Sequence, residues 1–432
     1  MVGGRWTDAF AKPKHPRPAG GDDGSNGGDA GGGGGEPAPS ARPKHPRPAG
    51  GDDGSNGGDA GGGGGIGHAG DRLSALPDDL LHAIMSRLKA LQMVRTCMLS
   101  TRWRHLWRAV PCLDVDEEET GAYNNFDNFT SNLLHCHDIA VLEDFRLHAA
   151  RTSDRWVRRA VGQGEAWPCR LKSLHLFSLS NLNLTDIGSH ISSRCFALED
   201  VQLRNCSFVL TSNAKIVSAS LKKLAVVDGY YMVHDDEIFA LIIEAPALVS
   251  LCLDGELEHI VDMTEPHTVL SLVDASIQLP RVERRVNHQL GILGALSNVT
   301  TLRLSHFAVM LLFYATREDL PVFKFENLRS LLLDECHISD DFLGLQQYLH
   351  NSRNLKKLTL RCCKVLDYRH NKEMRERLHK SSEDLVDFNC ENLRLSEIIY
   401  RDGDTSVHLL VMFLVGMPTN LPNNKIEFTK ID

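Results

Sequence analysis

Aromatic residues are scarce in this sequence of 432 residues, at 6%, which points away from a ring-filled core and towards aliphatic packing. A cationic surplus is missing too. The 47 Lys and Arg against 56 Asp and Glu leave a net charge of −9, which excludes a general affinity for nucleic acid. Met1 to Phe10 contains no apolar stretch of the secretory-signal kind, and the late apolar run Leu409 to Met417 is too short to cross a bilayer. No C-x-x-C occurs among the eleven cysteines, so reduced thiols in a cytoplasmic or nuclear protein are expected. The vicinal Cys362-Cys363 reads as one buried and one exposed thiol. G-x-S-x-G, the phosphate-binding loop and H-E-x-x-H are all absent, which argues against an enzyme, and no cofactor is implied. His135-Cys136-His137 brings metal-ligand residue types together. Adjacent side chains point apart, however, and no second cluster accompanies them, so a structural or surface role is expected and no metal.

What is present falls into modules, as a chain too long for one growing core should. Pro13 to Gly35 recurs unchanged from Pro43 to Gly65. Neither copy offers apolar residues to bury, so residues 1–70 are expected to form a disordered, low-complexity tail. Helical spacing begins with Leu80, Leu81, Ile84 and Leu88 on one stripe, followed by Val94, Cys97 and Met98. Pro77 suits a first helical turn, and Asp78 and Asp79 complement a helix N-terminus. A second helix is expected from about Leu91, and a third over Thr101 to Arg108 with Ser100 as its cap. Three short helices in residues 71–116 are too few to stand well alone, and a partner is expected to cover part of their apolar surface. Arg102, Arg104 and Arg108 form a charged helix face whose field the run Asp116 to Glu119 cancels. Trp103 and Trp107, at i and i+4, read as buried anchors at the module's interface.

Beyond residue 170 the period changes. L-x-x-L-x-L recurs as LKSLHL from Leu171, LEDVQL from Leu198, LKKLAV from Leu221 and LVSLCL from Leu248. It continues as VTTLRL from Val299, LRSLLL from Leu328 and LKKLTL from Leu355, with a weaker copy at Leu270 to Ile277. Starts lie 22 to 29 residues apart, the range of leucine-rich repeats. The fold class expected is therefore α/β, with a small N-terminal helical module and a leucine-rich-repeat solenoid, or horseshoe, over residues 170–366. Residues 117–169 are a linker or cap, in which VLEDFRL from Val141 looks like an irregular first repeat, and residues 367–432 form a C-terminal cap. Alternation along each strand puts the leucines inside and the intervening residues on the concave face. Candidate substrate-binding residues are thus His175, Gln202, Arg204, Lys223, Asp254, Arg303, Asp334, Lys357 and Arg361. Their mixed charge suits a protein partner. A small-molecule co-receptor would need convergent basic residues, and the Lys and Arg here are scattered.

The segment from Asp71 to Asp116 resembles a plant F-box, through its L-P-D-D-L-L opening, V-R-T-C-x-L-S stretch, R-W-R-x-L-W ending and V-P-x-L-x-x-D exit. Followed by leucine-rich repeats, it is similar to the plant F-box/leucine-rich-repeat group. The C-terminal stretch resembles the FBD-type region that closes such chains, with only part of its acidic and apolar cluster present. The resemblance implies a non-catalytic substrate-recognition subunit of a Skp–cullin–F-box ubiquitin ligase, with no nucleic acid or membrane partner. It would bind a Skp-type adaptor, and through it a cullin, and present an unknown protein client for ubiquitin-dependent degradation. The implied docking residues are Leu76, Pro77, Leu80, Leu81, Ile84, Leu88, Val94, Leu99, Ser100, Trp103 and Trp107. At one place the pattern breaks: Lys89 stands where many relatives have proline, a change expected to shift the turn and weaken docking while leaving the anchors. A diverged repeat scaffold that no longer joins a ligase is the alternative.

Overall fold

Strand after strand of this chain hydrogen-bonds to the next in parallel, in sequence order, from Cys112 to Ile431 in a computed structural model. It describes residues 73, 75–120, 123–151, 154–161, 169–231, 239–255, 261–262, 271–278, 295–306, 324–366, 390–416 and 421–431. The duplicated tail lies outside them. Contacts divide the chain into Ala11–Ala75 and a unit containing Leu76–Asp432. Among the described residues, every helix and strand belongs to the second unit.

That unit opens with three short helices, α1 (Asp78–Met85), α2 (Ala90–Arg95) and α3 (Trp103–Leu106), with 3-10 turns at Thr96–Met98 and Trp107–Ala109. Ser100 does not cap α3: Arg102 is the residue before it, and the Ser100 hydroxyl makes no hydrogen bond. Lys89 enters α2 at φ −64, the value proline would impose, so the substitution keeps the turn instead of shifting it. Its ammonium pairs with Asp116 across the module, and that bond holds Lys89 above its ordinary pKa.

The strands follow as β1 (Cys112–Asp116), β2 (Asp144–His148), β3 (Ser173–Phe177), β4 (Leu182–Asn183), β5 (Asp200–Arg204), β6 (Ser207–Val209), β7 (Ala214–Val217) and β8 (Lys223–Tyr231). Next come β9 (Leu241–Glu244), β10 (Ser250–Gly255), β11 (Val261–Asp262), β12 (Asp274–Gln278), β13 (Thr301–Ser305) and β14 (Ser330–Asp334). The last are β15 (His337–Ser339), β16 (Lys357–Arg361), β17 (Lys364–Leu366), β18 (Leu395–Arg401) and β19 (Lys425–Ile431). The remaining helices among the described residues are α4 (Tyr123–Cys136), α5 (Asp154–Ala160), α6 (Leu184–Arg194), α7 (Leu343–His350) and α8 (Ser406–Val415). The main path runs β1-β2-β3-β5-β8-β10-β12-β13-β14-β16-β18-β19.

Every L-x-x-L-x-L copy places its last two apolar residues inside a strand of this path. Leu174 and Leu176, Leu302 and Leu304, Leu331 and Leu333, and Leu358 and Leu360 are all at most 1% exposed. The weak copy starts two residues later than its sequence suggests: Leu272 leads into β12, where Ala275 and Ile277 take the buried positions. The sheet also reaches further at both ends than the seven clear copies. Val110, Leu113 and Val115 reproduce the spacing in β1, inside the helical module's own segment, and Leu142, Phe145 and Leu147 do so in β2. In β18 the pattern is masked because a buried serine, Ser396, stands at the fourth position of the template, between Leu393 and Ile398.

A second regularity marks six strands of the main path. Ser178, Asn205, Asp228, His306, Glu335 and Cys362 occupy equivalent positions just past the paired segment, and all have φ between 48 and 60. The left-handed turn lets each strand's ladder continue by one more bond, as from the Asn205 N–H to the Val227 carbonyl (2.8 Å) and from the Glu335 N–H to that of Arg361 (2.7 Å). Cysteine often comes next. The thiols of Cys206, Cys336 and Cys363 donate back to the carbonyls of Leu176, Leu304 and Leu333 at 3.3–3.6 Å. Cys362 and Cys363 are both buried, at 7% and 3%, in contrast to the split expected of a vicinal pair. Gly255 has φ +123 and lies against the Gly229 backbone, so neither a left-handed cost nor a Cβ could be accommodated there.

Candidate functional site

Two surfaces carry the candidate residues. On the first, the register of α1 separates adjacent leucines. Leu81 and Met85 are fully buried, whereas Leu80 and Ile84 stand 52% and 42% exposed on the neighbouring stripe. The tight turn Thr96–Met98 does the same for the following residues, leaving Met98 and Leu99 each 62% exposed. Thr96 fixes that turn by donating to the Met93 carbonyl at 2.7 Å. Arg102 then ties the chain back to the start of α1 through the Leu76 carbonyl (2.6 Å) and the Asp78 carboxylate (2.5 Å). Four apolar side chains held outward by a fixed frame would cost solvation if left uncovered.

Of the residues implied as docking contacts, Pro77, Leu80, Ile84 and Leu99 are exposed, and Leu76, Leu88 and Ser100 are half-buried. Leu81, Val94, Trp103 and Trp107 are at most 3% exposed. These four, including the tryptophan pair read as interface anchors, fill the module's own interior and shape the outer face from beneath. Met98 is missing from the implied set because its neighbours read as a continuing helix, in which it would point inward.

This module is joined directly to the sheet. His137, at 4% exposed, donates its Nε2 proton to the Val110 carbonyl (2.8 Å) just before β1. Burial pushes its pKa down to about 4, so the imidazole is neutral. Asp138 N–H bonds the Arg108 carbonyl (2.8 Å), and Asp116 at the end of β1 receives Lys89. His135-Cys136-His137 thus splits as its spacing suggests, with His135 exposed and His137 turned inward. Among the described residues no group of three His, Cys, Asp or Glu is arranged to hold a metal.

The second surface is the sheet face opposite the leucines. Register brings His175 beside Gln202, and Arg204 lies two pairs further along the same neighbouring strand, opposite Phe177. His175 Nε2 is 3.5 Å from the Asp200 carboxylate; burial lowers its pKa and Asp200 partly offsets that. Gln202 also leans on Asp200, and Arg204 on Gln202 (3.5 Å). Lys223 is exposed at the start of β8. Asp254 is half-buried, and burial together with the nearby Asp228 carboxylate raises its pKa.

Towards the C-terminal end the charges are already paired. Arg303 (2.5 Å) and Arg361 (3.1 Å) both grip Asp334, whose side chain is 9% exposed. Lys357 pairs with Glu397 at 3.0 Å. One position along, His306 and Arg401 share Glu335 at 3.1 and 2.9 Å. The two arginines expected as free contact residues are therefore locked to a carboxylate of the intervening strand, and Glu335, Glu397 and Arg401 join the network. The last two sit on β18, whose interrupted leucine pattern hides them in the sequence.

Residues 73–114 match the F-box domain family. The chain is 29% identical to the meiotic F-box protein MOF of Oryza sativa subsp. japonica, over 81% of this chain and 84% of that protein. An FBD-associated F-box protein of Arabidopsis thaliana is 28% identical over 67% of this chain and 76% of its own length. An F-box/FBD/LRR-repeat protein of the same plant is 28% identical over 44% of this chain and 55% of its own. The chain thus carries an F-box domain that leads into a long parallel sheet, and along most of its length it is similar to plant F-box proteins.

Proposed function

We propose that this chain is the substrate-recognition subunit of a Skp–cullin–F-box ubiquitin ligase, a non-catalytic receptor working in the cytoplasm or nucleus. On this reading Leu80, Ile84, Met98 and Leu99 enter a Skp-type adaptor, while the long sheet is the inner wall of a leucine-rich-repeat solenoid that holds a protein client. The observation that carries it is the exposure of those four apolar side chains on an F-box whose own core is complete without them. Interfaces draw most of their energy from a few such central anchors. The bonds from His137 and Asp138 to the Val110 and Arg108 carbonyls matter to the same role. A client held on the sheet would stand in a fixed orientation to the adaptor, which a transfer reaction between proteins requires.

The scaffold reading rests on the altered turn and on the partial FBD-type match at the C-terminus; Lys89 keeps the backbone angle of a proline, so the turn offers no reason to abandon docking. Affinity capture from plant cells with proteasomal degradation blocked separates the two readings. The ligase reading expects a Skp-type adaptor and ubiquitin-bearing clients with the wild-type chain, and clients without adaptor for a Leu80→Asp, Leu99→Asp variant. Clients captured in equal amount by both, with adaptor on neither, would establish the scaffold.

A further inference from the structure

Residues leading into the strands of the main path form a row along one edge of the sheet, each backbone N–H bonding the carbonyl of its neighbour one strand back. Lys172 bonds Glu143 in this way (2.7 Å), Lys222 bonds Glu199 (2.8 Å), Lys356 bonds Arg329 (2.8 Å) and Arg394 bonds Lys356 (2.9 Å). Side chains on the row reach one another. In its first half opposite charges alternate, and Lys172 pairs with Glu143 at 2.7 Å and Lys222 with Glu199 at 2.9 Å. In its last part Arg329, Lys356 and Arg394 follow one another ahead of β14, β16 and β18, all exposed. Among the described residues none of these three has an ion-pair partner. Strand spacing holds them about 4.8 Å apart, and like charges so close repel. The loops behind add Lys324 and Arg353 against Glu326 and Glu391, so five cations stand with two carboxylates. Those loops are fixed: Asn354 donates to the Glu326 carbonyl (2.7 Å) and Asn392 to the Arg353 carbonyl (3.0 Å). Between the two halves of the row Val249 and Val273 are exposed, and the N–H of the second bonds the carbonyl of the first (2.9 Å). Acids outnumber bases in this chain, yet none neutralises this rigid cationic edge from within the fold.

We propose that Arg329, Lys356 and Arg394 dock an acidic helix of a partner protein, with Val249 and Val273 receiving its apolar residues. Carboxylates one turn apart on a helix lie about 5.4 Å from each other, close to the strand spacing, whereas alternate residues of an extended chain lie about 6.6 Å apart. The three cations span only about 10 Å, too little to neutralise the run of phosphates on which nucleic-acid affinity depends. Two short valines offer no large apolar group to sink into a lipid surface. This edge is separate from the exposed F-box face and from the concave residues, and the proposal does not depend on the ligase reading.

The test measures, by fluorescence anisotropy, binding of the full-length chain to a labelled alanine-based helical peptide of about 18 residues, with Glu at every fourth position and two Leu one turn apart at one end. The comparison ligands are the same peptide with Gln for Glu, a labelled oligothymidylate of equal charge, and phosphatidylserine vesicles. The wild type is expected to bind the Glu peptide. Binding should weaken about tenfold or more in an Arg329→Gln, Lys356→Gln, Arg394→Gln variant, and likewise for the wild type in about 0.5 M salt. A Lys172→Gln, Lys222→Gln variant, altered in the paired half of the row, should bind as the wild type does. The triple variant should melt no lower than the wild type, because it relieves repulsion between exposed cations. If it does not fold, the three single variants decide, each expected to weaken binding about two- to threefold. No binding by the wild type, equal binding by the substituted chains, or equal binding of the Gln peptide would overturn the proposal. Tighter binding of the oligothymidylate or the vesicles than of the Glu peptide would overturn it too, by assigning the edge to nucleic acid or lipid.

Discussion

Lowering the pH should loosen the junction between the F-box and the sheet through His137. Its imidazole is buried at 4% exposure and is neutral, giving its Nε2 proton to the Val110 carbonyl. Burial holds its pKa at about 4 against an ordinary value of 6.5. The unfolded chain therefore takes up a proton that the folded chain refuses. The stability from a neutral His137 is fully present above about pH 6.5 and drains away as the pH falls towards 4. At about 1.4 kcal/mol per unit, the loss reaches about 2 kcal/mol at pH 5 and about 3 kcal/mol near the lower limit. Other groups titrate in the same window, so the informative quantity is a difference between proteins. His137→Gln keeps a side-chain N–H donor and cannot titrate. Urea unfolding of both proteins at about pH 7.5 and about pH 5 should show the wild type losing about 2 kcal/mol more than the variant. Parallel losses would mean that the folded chain admits the proton, and that the ring is not sealed against Val110.

Leu302→Ala removes a fully buried side chain from β13 and should cost roughly 2–5 kcal/mol in denaturant unfolding. Its half-exposed neighbour Arg303, changed to Gln, should cost about 1 kcal/mol or less. Lys89→Pro fits the existing φ of −64 but takes the ammonium from Asp116, a buried carboxylate left with the Glu118 N–H. Its stability should fall by about 1–2 kcal/mol, chain stiffening offsetting part of the lost pair, while its adaptor binding should be unchanged. Asp334→Asn leaves Arg303 and Arg361 facing one another without their shared carboxylate. It should destabilise by about 1–2 kcal/mol, less at high salt, because both arginines are partly solvated. Charge reversal at Arg303 and Arg361 would instead crowd three carboxylates, so neutral Gln at both is the change that isolates client capture from unfolding.

The parallel sheet is legible wherever leucine repeats at the fourth and sixth positions of the template, because period-two burial in a stacked strand demands it. It is hidden where one buried position holds something else: Ser396 in β18, Ala275 in β12, or the short Val110-Leu113-Val115 set embedded in the F-box. The helical module is legible as a module, but not its inside and outside. Leu80 and Leu81 look alike in sequence. Only the angle at which α1 meets α3 and the Trp107–Ala109 turn decides that the second packs inward. Large rings at i, i+4 such as Trp103 and Trp107 suit either a core or a contact, and in so small a module they are needed for the core. On the sheet face, alternation places the exposed residues correctly. Pairing across strands, which sets Arg303 and Arg361 on Asp334, depends on register between segments far apart in the chain.

The most direct test is the affinity of the purified full-length chain for a recombinant Skp-type adaptor, measured by calorimetry beside its Leu80→Asp, Leu99→Asp variant. The account predicts a tight complex for the wild type. The variant should bind at least about a hundredfold more weakly, with its melting temperature unchanged, because both side chains are more than half exposed. Equal affinity for the two proteins, or no complex with the wild type, would contradict the claim that this exposed face is where the chain joins a ligase.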